Sequence, residues 1–171
     1  MHMLHLLRHA KSSWKEDVED HERPLSRRGR DAARRIGKYL PARVGALDLV
    51  LCSSALRTRE TLDLAIAKFL PRPRSIIEDE LYLATRDRLM DRLRRLDEAD
   101  VNVLLIGHNP GLHELAIALA KKRSSGFRAL ASGKFPTAAL VSFRLPARWA
   151  VLGSSRYALT DYVTPKSLAD G

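Results

Sequence analysis

Short apolar runs alternate with longer amphipathic ones from the first residues of the chain onward. Residues 3–7 are apolar and stop abruptly at Arg8-His9, which predicts a first strand. The polar stretch 11–23 has no clear period and reads as a loop. Pro24-Leu25-Ser26 then introduces a helix of about four turns through Leu40, with Ser26 as N-cap and Ala32, Ile36, Tyr39 and Leu40 inward. Pro41 and Gly45 are expected to end it. A second strand is expected at 47–52, where Ser53 and Ser54 are available to cap a helix over 56–70. Pro71 and Pro73 punctuate the chain before a short third strand at 75–77. Residues 86–99 pattern as an amphipathic helix with Leu89, Leu93 and Leu96 inward.

Residues 101–106 form the clearest buried strand, followed by Gly107-His108-Asn109-Pro110-Gly111 and a helix to about Lys122. Asn109 as N-cap and Pro110 at the first helical position suit a helix start. The segment 121–134 is basic, lacks acidic residues and reads as an exposed loop. Residues 138–145 and 149–152 read as late strands, and the tail from Thr160 has no clear pattern. Strands alternating with helices imply an α/β fold, a three-layer α/β/α domain with helices on both faces of a mostly parallel sheet. No repeat, linker or low-complexity tract divides residues 1–171, so one domain is expected.

Composition narrows the picture. The 45% apolar and 29% charged fractions suit a globular chain, and Lys and Arg exceed Asp and Glu by a net +10. Such an excess favours anionic partners, whether phosphorylated metabolites, phosphoproteins, nucleic acid or an acidic membrane surface. The single cysteine, Cys52, excludes an intramolecular disulfide and a thiolate metal cluster, and is expected to act as a small buried hydrophobe. The first eight residues are too short and too broken by histidines for a signal peptide. No run approaches the ~20 apolar residues of a membrane helix, so the cytoplasm is the expected compartment.

Candidate chemistry gathers at the strand ends. His9 follows the first strand directly, and His108 follows the strand at 101–106. In an open α/β sheet, ligands bind beyond the carboxyl ends of the strands. The strand at 47–52 delivers Ser53-Ser54 and then Arg57 to the same edge, and Arg8 precedes His9. Arginine forks match phosphate bidentately, helix N-termini offer free N–H groups, and a neutral imidazole is a nucleophile. A lone histidine at a strand end is ordinarily a satisfied polar group, and an arginine at a helix start a solvated charge. That reading does not account for all four converging at one end of three strands.

These segments resemble the motifs of a known family. Leu7-Arg8-His9-Ala10-Lys11-Ser12 resembles the Arg-His-Gly signature of the histidine phosphatase superfamily, with Ala in place of Gly. Arg23-Pro24-Leu25-Ser26-Arg27-Arg28-Gly29 resembles its Leu-Ser/Thr-x-x-Gly element. Ser53-Ser54-Ala55-Leu56-Arg57-Thr58-Arg59-Glu60-Thr61 is similar to its Ser-x-x-x-Arg-Ala-x-Gln-Thr helix start, and Gly107-His108-Asn109-Pro110 to its second-histidine motif. Order and spacing agree over roughly residues 3–120. The short chain and its Arg-His-Ala-Lys-Ser and Arg-Pro-Leu details are most similar to the SixA-type phosphohistidine phosphatases of that superfamily.

The resemblance implies a phosphoglycerate mutase-like fold, with His9 the nucleophile that becomes phosphohistidine and Arg8, Arg57 and His108 the phosphate pocket. It implies no metal and no organic cofactor. Larger members place a carboxylate general acid in a Leu-x-Glu context, to which Glu80 is the nearest counterpart here. Lys15 stands where mutases of the family carry Asn, which argues against sugar-phosphate mutase activity. The larger lid insertions are missing too, so an open site is expected. The expected substrate is a phosphorylated small molecule or a phosphohistidine-bearing protein. A site without a general acid would favour phosphohistidine, because an imidazole departs more readily than an alkoxide.

The competing reading is a binding module for phosphoprotein or nucleic acid that has lost turnover. It rests on the charge and on the arginine-dense segments 23–35 and 86–95, but no aromatic residues interleave with them for base stacking. A dinucleotide-binding fold is set aside, because no glycine-rich turn follows a strand.

Overall fold

The computed structural model describes residues 1–146 and 148–169. Its strands are β1 (His2–Arg8), β2 (Leu49–Ser53), β3 (Arg74–Glu78), β4 (Asn102–Gly107), β5 (Leu140–Leu145) and β6 (Ala158–Val163). They form one sheet in the order β3-β2-β4-β1-β5-β6. β3, β2, β4 and β1 run parallel, while β5 and β6 close one side antiparallel. The helices are α1 (Arg27–Val44), α2 (Leu56–Ala65), α3 (Arg86–Arg94), α4 (Gly111–Leu119), α5 (Phe127–Ser132) and α6 (Pro165–Ala169).

Alternation along the strands builds two cores. Leu4, Leu6, Leu49, Leu51, Val103 and Leu105 face one layer with Leu89, Leu93 and Leu115 of α3 and α4. Leu7, Val50, Cys52, Leu104 and Ile106 face the other, with Ile36 and Leu40 of α1 and Leu62 of α2. Strands buried on both faces read as near-continuous apolar runs, which is why β1, β2 and β4 were legible. The α/β/α fold is as expected, and Cys52 is buried, with its thiol pushed up to about 12 by desolvation. Among the described residues no helix is long and apolar enough to cross a membrane.

Several expected boundaries are corrected. α1 continues through Pro41 to Val44 and stops at Gly45, whose φ of 69° is open to glycine at little cost. α2 ends at Ala65 rather than residue 70: Ile66 closes it at φ −101°, ψ 5° with its amide on the Leu62 carbonyl, and Leu70 lies exposed. α3 stops at Arg94, and α4 stops at Leu119. The basic segment 121–134 is not all loop: α5 forms within it and buries Leu130. Residues 149–151 make a 3₁₀ turn instead of a strand, with the Trp149 indole donating to the Asp100 carbonyl at 2.8 Å. The last strand is β6, whose exposed and half-buried edge positions gave no apolar alternation to read.

Ser26 caps α1 as expected, accepting from the Gly29 amide at 3.0 Å. Gly29 itself is packed against the loop after β1. A Cβ there would stand 2.0 Å from the Lys11 carbonyl oxygen, which also accepts from the Ser26 amide. Gly29→Ala should therefore displace the loop that carries Lys11 and destabilise the protein by about 1–3 kcal/mol. Denaturant unfolding of the variant checks this; unchanged stability would contradict the packing.

Candidate active site

β1 and β4 are adjacent and in register, with Arg8 opposite Gly107, so His9 and His108 leave the sheet side by side. Their ring centroids lie 5.2 Å apart. β2 borders β4 on the other side and brings Ser53 and the start of α2 to the same edge. β5 begins there as well: the Ala138 amide donates to the carbonyls of Arg8 and His9, both at 3.0 Å. Ala138 does this from the left-handed region, at φ 60°. The structure thus brings Arg8, His9, Arg57 and His108 into the wall of one open cavity of roughly 320 Å³. Lys11 and Arg23 line it too, and no carboxylate does among the described residues. Such a lining favours an anion.

His9 is held by its own backbone. Its Nδ1 lies 2.7 Å from the Ala10 carbonyl oxygen, which can only accept, so Nδ1 carries the proton. Nε2 is left with its lone pair in the cavity wall. The next residue is pinned through α2, where the Thr61 hydroxyl accepts from the Ala10 amide at 3.0 Å and donates to the Arg57 carbonyl. Burial, reinforced by Arg8, Arg57 and Arg23, lowers the His9 pKa to about 4.

His108 is held by Ser53, whose hydroxyl lies 2.7 Å from Nε2. That hydroxyl has no other acceptor among the described residues, so it donates to Nε2 and the ring proton sits on Nδ1. Burial and the charges of His9, Arg57 and Arg8 lower the His108 pKa to about 3. Its Nδ1 and the Arg8 Nε are buried donors without a partner. Two orphaned donors in an anion-selective wall are what an incoming oxyanion would satisfy.

Arg57 is buried and aimed by Asp20, its two terminal nitrogens donating to the Asp20 carbonyl at 2.8 Å and carboxylate at 3.1 Å. The same carboxylate accepts from Arg23 at 2.9 Å and from the Tyr82 hydroxyl. The Tyr82 bond, followed by the arginines, holds the Asp20 carboxyl well below the usual carboxylate range, so it stays ionised and serves to orient. Tyr82 sets its ring edge-on to His108 at 5.5 Å. At the rim, the exposed Trp14 stacks on the Arg23 guanidinium, and Leu83 holds an exposed side chain from φ 50°.

Three expectations fail on geometry. Glu80 does not line the cavity: its carboxylate lies on Arg95 at 3.0 Å and Arg92 at 3.4 Å. Asn109 does not cap α4 and instead donates to the Phe135 carbonyl at 2.8 Å. Ser53 supports His108, whereas the cap of α2 has no side-chain hydrogen bond. Sequence reasoning missed Asp20, Arg23, Thr61 and Tyr82 as parts of the site. Asp20 lay unmarked in an acidic loop and Tyr82 beside the favoured Glu80. Among the described residues no group of three or more His, Cys, Asp or Glu side chains could hold a metal ion.

The lowered histidine pKa values have a testable consequence. Between about pH 4 and 6.5 the unfolded chain binds protons at His9 that the folded site refuses, so stability rises with pH through that window. Imidazole ¹⁵N NMR at pH 5.5 should find His9 neutral with its proton on Nδ1. An imidazolium signal for His9 at that pH would refute the assignment.

The chain is similar to known proteins in sequence and in fold. Residues 4–81 match the sequence model of the histidine phosphatase superfamily, branch 1. An uncharacterised protein of Mycobacterium tuberculosis is 34% identical over 164 residues, covering 94% of this chain and all of that one. Two solved structures of proteins provisionally named phosphohistidine phosphatase SixA, from Nakamurella multipartitia and Agrobacterium tumefaciens, are each 27% identical to this chain. The first superposes with a TM-score of 0.84 over 96% of both chains. The second gives 0.80 over 96% of this chain and 98% of that one.

Proposed function

The chain belongs to the histidine phosphatase superfamily and is a phosphatase, and on that premise we propose that it cleaves phosphohistidine, without a metal, through a phosphoryl intermediate on His9. The observation that carries this reading is the Nδ1 bond to the Ala10 carbonyl, which leaves Nε2 as a neutral nucleophile among guanidinium groups. In the first step the Nε2 lone pair bonds to phosphorus as the bond to the leaving group breaks in line. Arg8, Arg57 and the His108 Nδ1–H take the charge that builds on the equatorial oxygens. In the second step a water oxygen attacks phosphorus, the Nε2–P bond breaks, and the water proton leaves with inorganic phosphate. With Nδ1 protonated throughout, the phosphorylated ring is cationic and departs as a neutral imidazole. Neither step then needs an acid for His9.

The leaving group sets the substrate class. No carboxylic acid stands in the cavity wall, and Asp20 is held ionised. An alkoxide would leave without a proton, forfeiting about 10²–10⁴-fold of rate. A phosphohistidine ring protonated on its far nitrogen leaves as a neutral base. The SixA names of the two 27% identical structures point the same way. The open site admits a residue presented on a protein surface.

The test sets a phosphohistidine peptide against an alkyl phosphomonoester, with chelator present, for wild type and Glu80→Gln. The peptide should turn over at least about 10²-fold faster, and Glu80→Gln should change neither rate by as much as tenfold. Equal rates on the two substrates would remove phosphohistidine as the preferred class. A collapse confined to the alkyl ester in Glu80→Gln would make Glu80 the acid.

A further inference from the structure

A second, larger hollow of roughly 740 Å³ adjoins the catalytic cavity, and the two share Lys11 and Thr137 in their walls. One wall is α1, which presents Arg28, Asp31, Ala32 and Arg35 at the spacing of a single helix face. Lys134 faces them from the segment before β5, and Lys166 from α6. Tyr162 and Pro165 supply apolar floor. Lys11, Arg28, Arg35, Lys134 and Lys166 are all exposed. Among the described residues none has a carboxylate partner, and the one acid of the groove, Asp31, is already paired with Arg34 at 3.2 Å.

We infer that this groove docks an acidic segment of the phosphoprotein substrate and so presents its phosphoryl group to His9. The inference rests on the phosphohistidine reading for the nature of the substrate. The catalytic cavity is open, so the protein that bears the phosphorylated ring extends out of it. Where Lys11 and Thr137 join the two hollows, a carrier of that ring runs onto Arg28, Arg35, Lys134 and Lys166, none of which has a carboxylate partner among the described residues. Unpaired like charges on one face repel each other, and a polyanion laid along them relieves that repulsion while it is steered in. A protein is the better fit than nucleic acid. Tyr162 is the groove's one aromatic side chain among the described residues, so successive bases would have no stacking platform.

The inference is tested by binding, independently of turnover. A fluorescein-labelled peptide with one histidine among glutamates, and a control with glycine and serine in their place, are titrated by anisotropy. The proteins are wild type, Arg28→Glu/Arg35→Glu, Lys166→Glu, and Arg88→Glu/Arg128→Glu, the last carrying an equal charge change on surfaces outside the groove. Wild type should bind the acidic peptide at least tenfold more tightly than the control. The Arg28/Arg35 variant should lose that preference, Lys166→Glu should lose part of it, and the distant variant should keep it within about twofold. Hydrolysis of an aryl phosphate should be unchanged in all three variants, which also verifies their fold. Equal loss in the groove and distant variants, or no acidic preference in wild type, overturns the inference. Tighter binding of a single-stranded oligonucleotide, lost in the same groove variants, would reassign the groove to nucleic acid. Acidic-peptide binding by a protein that leaves phosphohistidine intact would keep the groove and reject the phosphohistidine reading.

Discussion

Replacing His9 by alanine is expected to reduce turnover of every phosphorylated substrate by at least about 10⁴-fold, because no other group in the cavity wall can accept the phosphoryl. Lys11 is an exposed cation, and among the described residues neither the Ser12 nor the Thr137 hydroxyl is hydrogen-bonded to a histidine or a carboxylate. His108 cannot substitute, because the nitrogen it would use carries the proton that Ser53 fixes there. The fold should tolerate the change, since His9 contributes one side-chain bond to its own neighbour's carbonyl. Steady-state assays on a phosphohistidine peptide and an aryl phosphate, with thermal unfolding alongside, read both parts. Residual activity within tenfold of wild type in a clean His9→Ala preparation would remove His9 from its role.

The second large effect is at Arg57. Its guanidinium is buried and aimed by Asp20, so its remaining donor capacity is already oriented toward the phosphoryl group before substrate arrives. Arg57→Ala should lower kcat by about 10²–10³-fold, the cost of removing one preorganised donor to a transition-state oxyanion. Arg57→Lys should fare little better, because a single ammonium cannot both bond Asp20 at two points and face phosphate. Asp20 keeps Arg23 and Tyr82, so its carboxylate is not stranded and the variant should fold. Near-normal kinetics in folded Arg57→Ala would move the phosphate site elsewhere. A loss seen in KM alone would mean that Arg57 binds substrate and transition state equally.

Much of this was legible in the sequence, for reasons that differ by element. β1, β2 and β4 are buried on both faces, so their apolar runs were plain, and the residues just past their ends are where an α/β sheet puts its chemistry. The placement of Arg8, His9, Arg57 and His108 at one edge was legible that way. The supporting contacts were not, because they depend on loops whose pattern carries no period. Asp20 reaches Arg57 across 37 positions of sequence and Tyr82 reaches Asp20 across 62. Glu80 was singled out for its neighbours in the chain, yet its carboxylate is drawn to the arginines of the segment that begins with α3. β6 escaped notice because an edge strand with one buried residue shows no alternation, and Pro41 misled because the packing of α1 carries the helix past a residue that locally disfavours it.

The central claim is that the phosphoryl group passes through His9. The most direct test is rapid quench after mixing the enzyme with a ³²P-labelled phosphohistidine peptide, followed by proteolysis and mapping of the label. The account predicts acid-labile, base-stable label on the protein within the first turnover, at His9 Nε2 and absent from His9→Ala. Full turnover with no label on the protein, or label on any other residue, would contradict it.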